Sequence, residues 1–354
     1  MIENEFSELH EDHCVYVKHL DEKFIIMTLY VDDILMASNN LRLLETTKSW
    51  LSSKFEMKDM GEASFVLGVK ILRNRPKRLL GITQETYIKN ILKRYNLSDC
   101  KPMDTPVMKG VLLSTDMGPK TPQEKERMRH ISYSSAVGSL MYAMMCTRPD
   151  ICYAVGLVSR FQSNPGLEHW KAVKRILRYL KGTASYVLCY GGSDTRLIGY
   201  TDADWGGDPD ERKSTSGYAF LLSGGAVSWC SKKQSCIALS TMEAEYVAAT
   251  TASQEAVWLR RFLKHLGVIS NAKEPVTMYC DSMAALAYIK DPKYHGKTKH
   301  IQIRYHYVRD ISSKGKIVLR HVSTSSMLAD HLTKAINRES FQSQIKALGL
   351  KKGF

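Results

Sequence analysis

No Cys-x-x-Cys pair occurs among the eight cysteines of the 354-residue chain, and Cys230 and Cys236 have no histidine in finger spacing. That excludes a zinc ribbon or finger and leaves reduced structural thiols. No segment approaches the roughly 18 apolar residues a membrane helix needs. The N-terminus also lacks the cationic and apolar layout of a secretion signal, so the sequence implies an intracellular protein with no membrane partner. Acidic residues are the scarcer sign: 36 Asp+Glu face 50 Lys+Arg, a net charge of +14. Such an excess suits attraction to nucleic acid, and charge kept for solubility explains it equally well. With 44% hydrophobic and 24% charged residues the composition is globular rather than disordered, and the length suits two or three domains.

What the chain does have is a set of carboxylates at the ends of regular elements. Residues 197–201 read as an apolar strand with Asp202 at or just past its end, and Asp204 opens the following loop. Strands over 217–222 and 226–231 flank the hairpin turn Ser223-Gly224-Gly225. A helix from about 241 to 266, stopped by Gly267, carries two glutamates. Ser240 with Glu243 fits a capping box, so Glu243 has a structural job. Glu245 instead shares a face with Ala248, Ala249 and Ala252, where close packing makes an unpaired charge costly. Asp281 stands between a strand over 276–280 and a helix over 283–290, where it or Ser282 can serve as N-cap. Asp330 lies on the first turn of a helix after the strand 317–322, a position that also suits the helix dipole. Each acid alone has an ordinary explanation. Together, Asp202, Glu245, Asp281 and Asp330 predict a divalent-metal site acting on a polyanion.

Earlier in the chain, residues 24–31 and 34–38 read as two strands around Asp32-Asp33. Adjacent acids at the tip of a buried apolar hairpin want a counter-ion, whereas an Asp-rich turn open to water wants none. Residues 107–131 read as a linker or exposed loop. Helices follow from Tyr133, over 151–162 and over 167–180, with Thr147-Arg-Pro-Asp150 breaking the first run. The last carries Lys171, Lys174, Arg175 and Arg178 on one side, either a track for phosphates or a solvated face. A helix over 298–313, with Lys299 and Arg304, poses the same choice.

Tyr30-Val-Asp-Asp33 resembles the Tyr-x-Asp-Asp hairpin of reverse transcriptases. Phe55-Glu-Met-Lys-Asp-Met-Gly61, Phe65-Val-Leu-Gly-Val69, Gln84-Glu-Thr-Tyr-Ile-Lys-Asn-Ile-Leu92 and Cys100-Lys-Pro-Met-Asp-Thr-Pro106 resemble the copia-type retrotransposon polymerase. So do Tyr133-Ser-Ser-Ala-Val-Gly-Ser-Leu-Met-Tyr142 and Leu177-Arg-Tyr-Leu-Lys-Gly-Thr183. The last third resembles that family's ribonuclease H domain, in Thr201-Asp-Ala-Asp-Trp205, Arg212-Lys-Ser-Thr-Ser-Gly-Tyr218, Ser228-Trp-Cys-Ser-Lys-Lys-Gln234, Met242-Glu-Ala-Glu-Tyr246, Cys280-Asp-Ser282, Lys299-His-Ile301, Arg304-Tyr-His306 and Leu328-Ala-Asp330.

The resemblance implies an α/β and α+β multidomain chain: a partial reverse-transcriptase palm over 1–112, a helical thumb and connection over 113–192, a ribonuclease H-like mixed five-stranded sheet with helices over 193–340, and a C-terminal tail over 341–354. It implies a polymerase hairpin, Asp32 and Asp33, without the third metal-binding Asp that the family sets upstream, and so no polymerase activity by this chain alone. The family's ribonuclease acids fall on Asp202, Glu245, Asp281 and Asp330, with His321 in a place similar to its mobile histidine. The implied reaction is cleavage of the RNA strand of an RNA/DNA hybrid with two Mg²⁺ ions, or Mn²⁺ in their place, and no small-molecule cofactor. Arg212, Lys213, Ser214, Thr215, Lys232, Lys233, Gln234, Lys299 and Arg304 are the expected nucleic-acid contacts. The expected setting is a longer Pol polyprotein, in a cytoplasmic virus-like particle or the nucleus. A non-catalytic nucleic-acid-binding remnant is the alternative.

Overall fold

In the computed structural model, which describes residues 5–192, 194–267, 274–290 and 306–354, the chain divides into two compact units. The first comprises residues 1–64 and 257–274. Its strands β1 (Ser7–Glu8), β2 (Val15–Leu20), β3 (Lys23–Tyr30) and β4 (Asp33–Ser38) form an antiparallel sheet in that order. Alternation along β3 sends Ile25 and Met27 inward to meet Phe6 and Leu51, the latter from helix α1 (Leu41–Lys54). Asn40 starts α1 by accepting a 2.9 Å bond from the Leu43 amide.

The second unit comprises residues 65–256 and 275–354 and holds two five-stranded sheets. One is antiparallel and joins β5 (Phe65–Val66), β6 (Val69–Asn74) and β7 (Leu79–Thr83) to later strands. Helices α2 (Glu85–Arg94), α3 (Pro122–Arg129), α4 (Tyr133–Cys146), α5 (Cys152–Ser159) and α6 (Leu167–Gly182) follow, and α2, α4, α5 and α6 supply most of the central core. The sheet then receives β8 (Tyr186–Gly191) beside β7. Within the expected linker, α3 is a correction. Thr121 and Glu124 exchange side-chain bonds with each other's backbone around Pro122 at the first helical position, a capping box that starts a helix without apolar periodicity.

The other sheet is mixed, in the order β11 (Gly225–Lys233), β10 (Thr215–Leu222), β9 (Ile198–Asp204), β12 (Val276–Cys280), β13 (Ile317–His321). Strands β9 to β11 are antiparallel neighbours, whereas β12 runs parallel to both β9 and β13. Helix α7 (Thr241–His265) lies between β11 and β12 in the chain, and α8 (Met283–Lys290) and α9 (Tyr307–Ser313) between β12 and β13. The five strands agree with the expected mixed sheet, except that β9 continues through Asp202 to Asp204 instead of ending at 201. The start of the expected 298–313 helix, with Lys299 and Arg304, lies outside the described residues.

Residues 341–354, expected as a tail, are built into the core. Helix α10 (Arg338–Ala347) buries Phe341, Gln344 and Ile345, and β14 (Leu350–Lys352) pairs with β8. Gly349 makes the bend between them at φ +87, where a Cβ would meet the Cys189 carbonyl oxygen at 2.8 Å. All eight cysteines are free, in keeping with reduced thiols, and no helix among the described residues is long and apolar enough to cross a membrane.

Candidate active site

Pairing of β9 with β10 puts Asp202 opposite Gly217. A Cβ on Gly217 would lie 2.8 Å from Thr333 Cγ2 and 2.9 Å from Leu332 Cβ, so glycine there lets a short 3₁₀ turn, Asp330–Leu332, close onto the sheet. The Thr333 hydroxyl donates to Asp202 Oδ2 and lies 2.9 Å from the Asp330 carbonyl, which fixes the turn over the strand. Asp330 is therefore delivered by an isolated turn rather than by the helix expected from the sequence. Both Asp202 and Asp330 are buried.

Glu245 approaches from α7, its Oε1 accepting a 3.1 Å bond from the Ala203 amide next to Asp202. Glu243 has the structural job expected of it: its amide donates to Ser240 Oγ at 3.3 Å, and its Oε2 accepts from the Leu239 amide at 2.8 Å, closing the cap. Likewise Ser282, not Asp281, caps α8, accepting from the Ala285 amide at 3.2 Å. Asp281 is left to face Glu245, steadied by a 2.8 Å bond from the Thr324 hydroxyl. Ligand atoms of Glu245, Cys280 and Asp281 lie within 4.8 Å of one another.

The electrostatics are those of acids crowded without enough counter-charge. Burial pushes the Asp202 carboxyl up to about 6, Asp330 and Asp281 add to the rise, and Lys334 and the Thr333 hydroxyl oppose it. Glu245 is pushed up to about 9 by burial and then by Asp202 and Asp281, against the Ala203 amide and Lys334. Burial also raises the Cys280 thiol, so this group stays protonated and is a poor donor for a hard cation. The carboxylates suit such a cation, since oxygen ligands of this kind hold Mg²⁺ or Mn²⁺ and a divalent charge would relieve their repulsion.

A pH dependence follows. An unfolded Asp or Glu releases its proton near 4, while folded Asp202 and Glu245 keep theirs to about 6 and about 9. Between those limits the native state binds more protons, so stability without divalent ions falls as pH rises from about 4 to about 9. In EDTA the melting temperature is expected to drop across that window, and Mg²⁺ to raise it more at pH 8 than at pH 5. A flat profile in EDTA would contradict these buried acids.

Three side chains at the site escaped the sequence reading. Asp204 is not a loop residue but continues β9 on the same face as Asp202; burial raises its carboxyl, with Lys334 opposing and Asp330 reinforcing the shift. Thr333 bridges Asp202 and the Asp330 turn, and Lys334 places its Nζ 2.6 Å from Asp330 Oδ1. The one available signal was the four-residue spacing of Asp330 and Lys334.

Several expected contacts take structural roles instead. Ser214 and Thr215 are buried: Ser214 Oγ accepts from the Gly206 amide at 3.1 Å, and Thr215 Oγ1 lies 3.4 Å from an Arg160 nitrogen. Buried Gln234 donates to Ser216 Oγ and the Ala244 carbonyl, both at 2.9 Å. Lys213 pairs with Glu211 at 2.6 Å, and Lys233 with Asp208 and Glu211 at 3.3 Å. Arg212 and Lys232 are exposed. His321 is exposed at the end of β13, in register with Cys280 and so one residue from Asp281.

Asp32 and Asp33 do not sit on a buried hairpin. The sheet ends at β4, so the tip projects into solvent with Val31 89% exposed and Tyr30 56% exposed. Water screens the two acids there, and among the described residues no third metal-ligating side chain joins them.

A family model for reverse transcriptase (RNA-dependent DNA polymerase) matches residues 1–109. The retrovirus-related Pol polyprotein from transposon TNT 1-94 of Nicotiana tabacum is 51% identical over 338 residues, 95% of this chain and 25% of that protein. The corresponding polyprotein from transposon RE1 of Arabidopsis thaliana is 38% identical over 340 residues, 96% of this chain and 22% of that protein. A Saccharomyces cerevisiae protein assigned to transposon Ty5-1 is 32% identical over 247 residues, 69% of this chain and 78% of that protein. The chain thus spans about a quarter of the length of the two plant polyproteins.

Proposed function

The chain belongs to the copia-type retrotransposon Pol polyproteins, and from that premise we propose that residues 193–340 form a ribonuclease H domain that cleaves the RNA strand of an RNA/DNA hybrid. The observation that carries the reading is the crowding of acids around β9: Glu245 and Asp281 lie close enough to share an ion, Asp202 repels Glu245 and is itself repelled by Asp281 and Asp330, and burial with that repulsion raises the Asp202 and Glu245 carboxyls. Bound Mg²⁺ or Mn²⁺ would supply Lewis acidity to the attacking water and the leaving oxygen.

Each acid has a distinct part. Asp202, bonded through Thr333 toward the Asp330 turn and adjacent to the amide that holds Glu245, is the central carboxylate that would hold divalent ions there. Glu245 and Asp281 would help hold an ion that eases departure of the leaving oxygen, and Asp330 would help hold one that lowers the pKa of the attacking water. Burial of Asp202 and Glu245 keeps bulk water from competing with that binding and strengthens every charge interaction within it. Arg212 and Lys232 are the exposed cations offered to backbone phosphates, and choice of RNA over DNA would come from contact with the 2′-hydroxyl.

The solvent-open hairpin of Asp32 and Asp33 supports the further reading that this chain alone does not polymerise. Work within a longer polyprotein, in a virus-like particle or the nucleus, is part of the same proposal. The test is cutting of an end-labelled RNA/DNA hybrid by the purified chain with Mg²⁺ and with EDTA, beside duplex DNA of the same sequence. Cleavage of the RNA strand only, and only with Mg²⁺, is the expected outcome. Hybrid binding with no cleavage at any Mg²⁺ or Mn²⁺ concentration would instead identify a nucleic-acid-binding remnant.

A further inference from the structure

The acid cluster is electrically lopsided. On one side, Lys334 Nζ is 2.6 Å from Asp330 Oδ1, and the neighbouring acids hold it as a cation. Burial works against that charge, but Asp202, Asp330 and Asp204 outweigh it and raise the ammonium above its ordinary range. On the other side, Glu245 and Asp281 form no ion pair among the described residues; their close partners are the Ala203 amide, the Cys280 thiol and the Thr324 hydroxyl. The Lys334 side chain remains 39% exposed, against 11% for that of Asp330, so its ammonium has a path out to water. Its position four residues after Asp330, beyond the Asp330–Leu332 turn, lets it move without unseating Asp330.

We infer that Lys334 is a built-in counter-ion that occupies the Asp330 side of the cluster when no divalent ion is bound and is displaced when that side loads. The inference rests on the two-ion reading above. Its consequence is unequal loading: a cation entering the Glu245 and Asp281 side displaces only a proton, whereas one entering the Asp330 side must displace a tethered ammonium, so the Asp330 side fills at higher ion concentration. Lys334 is thus a positioning residue, setting the ion concentration at which the cluster completes and keeping Asp330 from repelling Asp202 and Asp204 until then.

The experiment is titration of the purified chain with Mn²⁺ alone, with bound ion read by electron paramagnetic resonance and melting temperature followed in parallel from EDTA upward. Wild type should bind in two steps. Lys334→Met, which keeps the aliphatic stem and removes the charge, should tighten the weaker step by about tenfold or more, the scale of one lost like-charge contact near a protein surface. It should also melt lower than wild type in EDTA and recover on adding Mn²⁺. Lys334→Arg should restore the gap between the steps, which a purely steric role would not predict. If Lys334→Met does not fold, Lys334→Gln carries the same expectation. An unchanged weaker step in the folded, charge-free variant, or two equal steps in wild type, would overturn the inference. Stepwise Mn²⁺ binding without hybrid cleavage would sink the ribonuclease reading and leave this inference standing.

Discussion

Asp202→Asn is expected to abolish hybrid cleavage, by roughly 10³-fold or more, while leaving the chain folded. Loss of one preorganised electrostatic group commonly costs 10²- to 10³-fold, and Asp202 is the central carboxylate that would hold the divalent ions. The substitution keeps the shape of the side chain and an oxygen that can accept the Thr333 hydroxyl bond. It also removes a buried carboxylate whose charged form the fold disfavours, so the variant should melt no lower than wild type in EDTA and respond less to Mg²⁺. A combined assay of cleavage and melting separates a lost active centre from a lost fold. Cutting by Asp202→Asn at the wild-type rate would end the assignment.

The largest expected effect on stability lies away from the cluster, at Asp150→Ala. Arg148 and Asp150 form a fully enclosed ion pair, with side chains 1% and 0% exposed. The guanidinium Nε lies 2.9 Å from Asp150 Oδ1 and an NH2 nitrogen 2.7 Å from Oδ2, while Thr183 accepts two further guanidinium bonds at 3.0 and 2.6 Å. Tyr179 donates to Asp150 Oδ2 at 2.5 Å. Removing the carboxylate strands a buried guanidinium, a loss of about 3–5 kcal/mol in comparable cases. Urea unfolding of Asp150→Ala should show that deficit, and the pair Arg148→Met with Asp150→Leu should be milder than Asp150→Ala alone. A loss under about 1 kcal/mol would mean water reaches the pair.

Thr147-Arg-Pro-Asp150 illustrates what a linear sequence conceals. Read locally, it only breaks a helix; its second role needs Tyr179 and Thr183 from a helix about thirty residues on, which no spacing rule connects to it. The strands around the site were legible because apolar runs bounded by glycines and acids recur there. The capping role of Glu243 was legible because capping chemistry is local. Asp204 reads as a loop residue because apolar character stops at Tyr200, whereas backbone pairing with Thr215 carries the strand on to it. Ser214, Thr215 and Gln234 are expected as contacts from the family-like motifs that contain them, and a motif does not show that these polar side chains turn inward to Gly206, Arg160, Ser216 and Ala244. Thr333 is illegible because its partner, Asp202, lies more than a hundred residues earlier, and Lys334 because an i,i+4 acid–base pair reads as an ordinary surface ion pair. Helix α3 buries only Met128 and starts on the capping residue Thr121, so its signal is in a few side-chain bonds rather than in periodicity, whereas α10 starts on Asn337 and does repeat Phe341, Ile345 and Leu348 at helical spacing.

The pairing of β14 with β8 sets an order of events during synthesis. Strand β14 completes an edge whose other members were made some 160 to 290 residues earlier, and α10 holds His331, next to Asp330, through Gln344. A chain still growing past residue 320 has nearly all of its strands but not the Asp330 turn, its α10 brace or the closing edge. Long-range pairings of this kind form late and leave edges open meanwhile. A chain grown only to about residue 320 therefore carries an incomplete acid cluster, which Asp330, Thr333 and Lys334 join only once they and their α10 brace have been made.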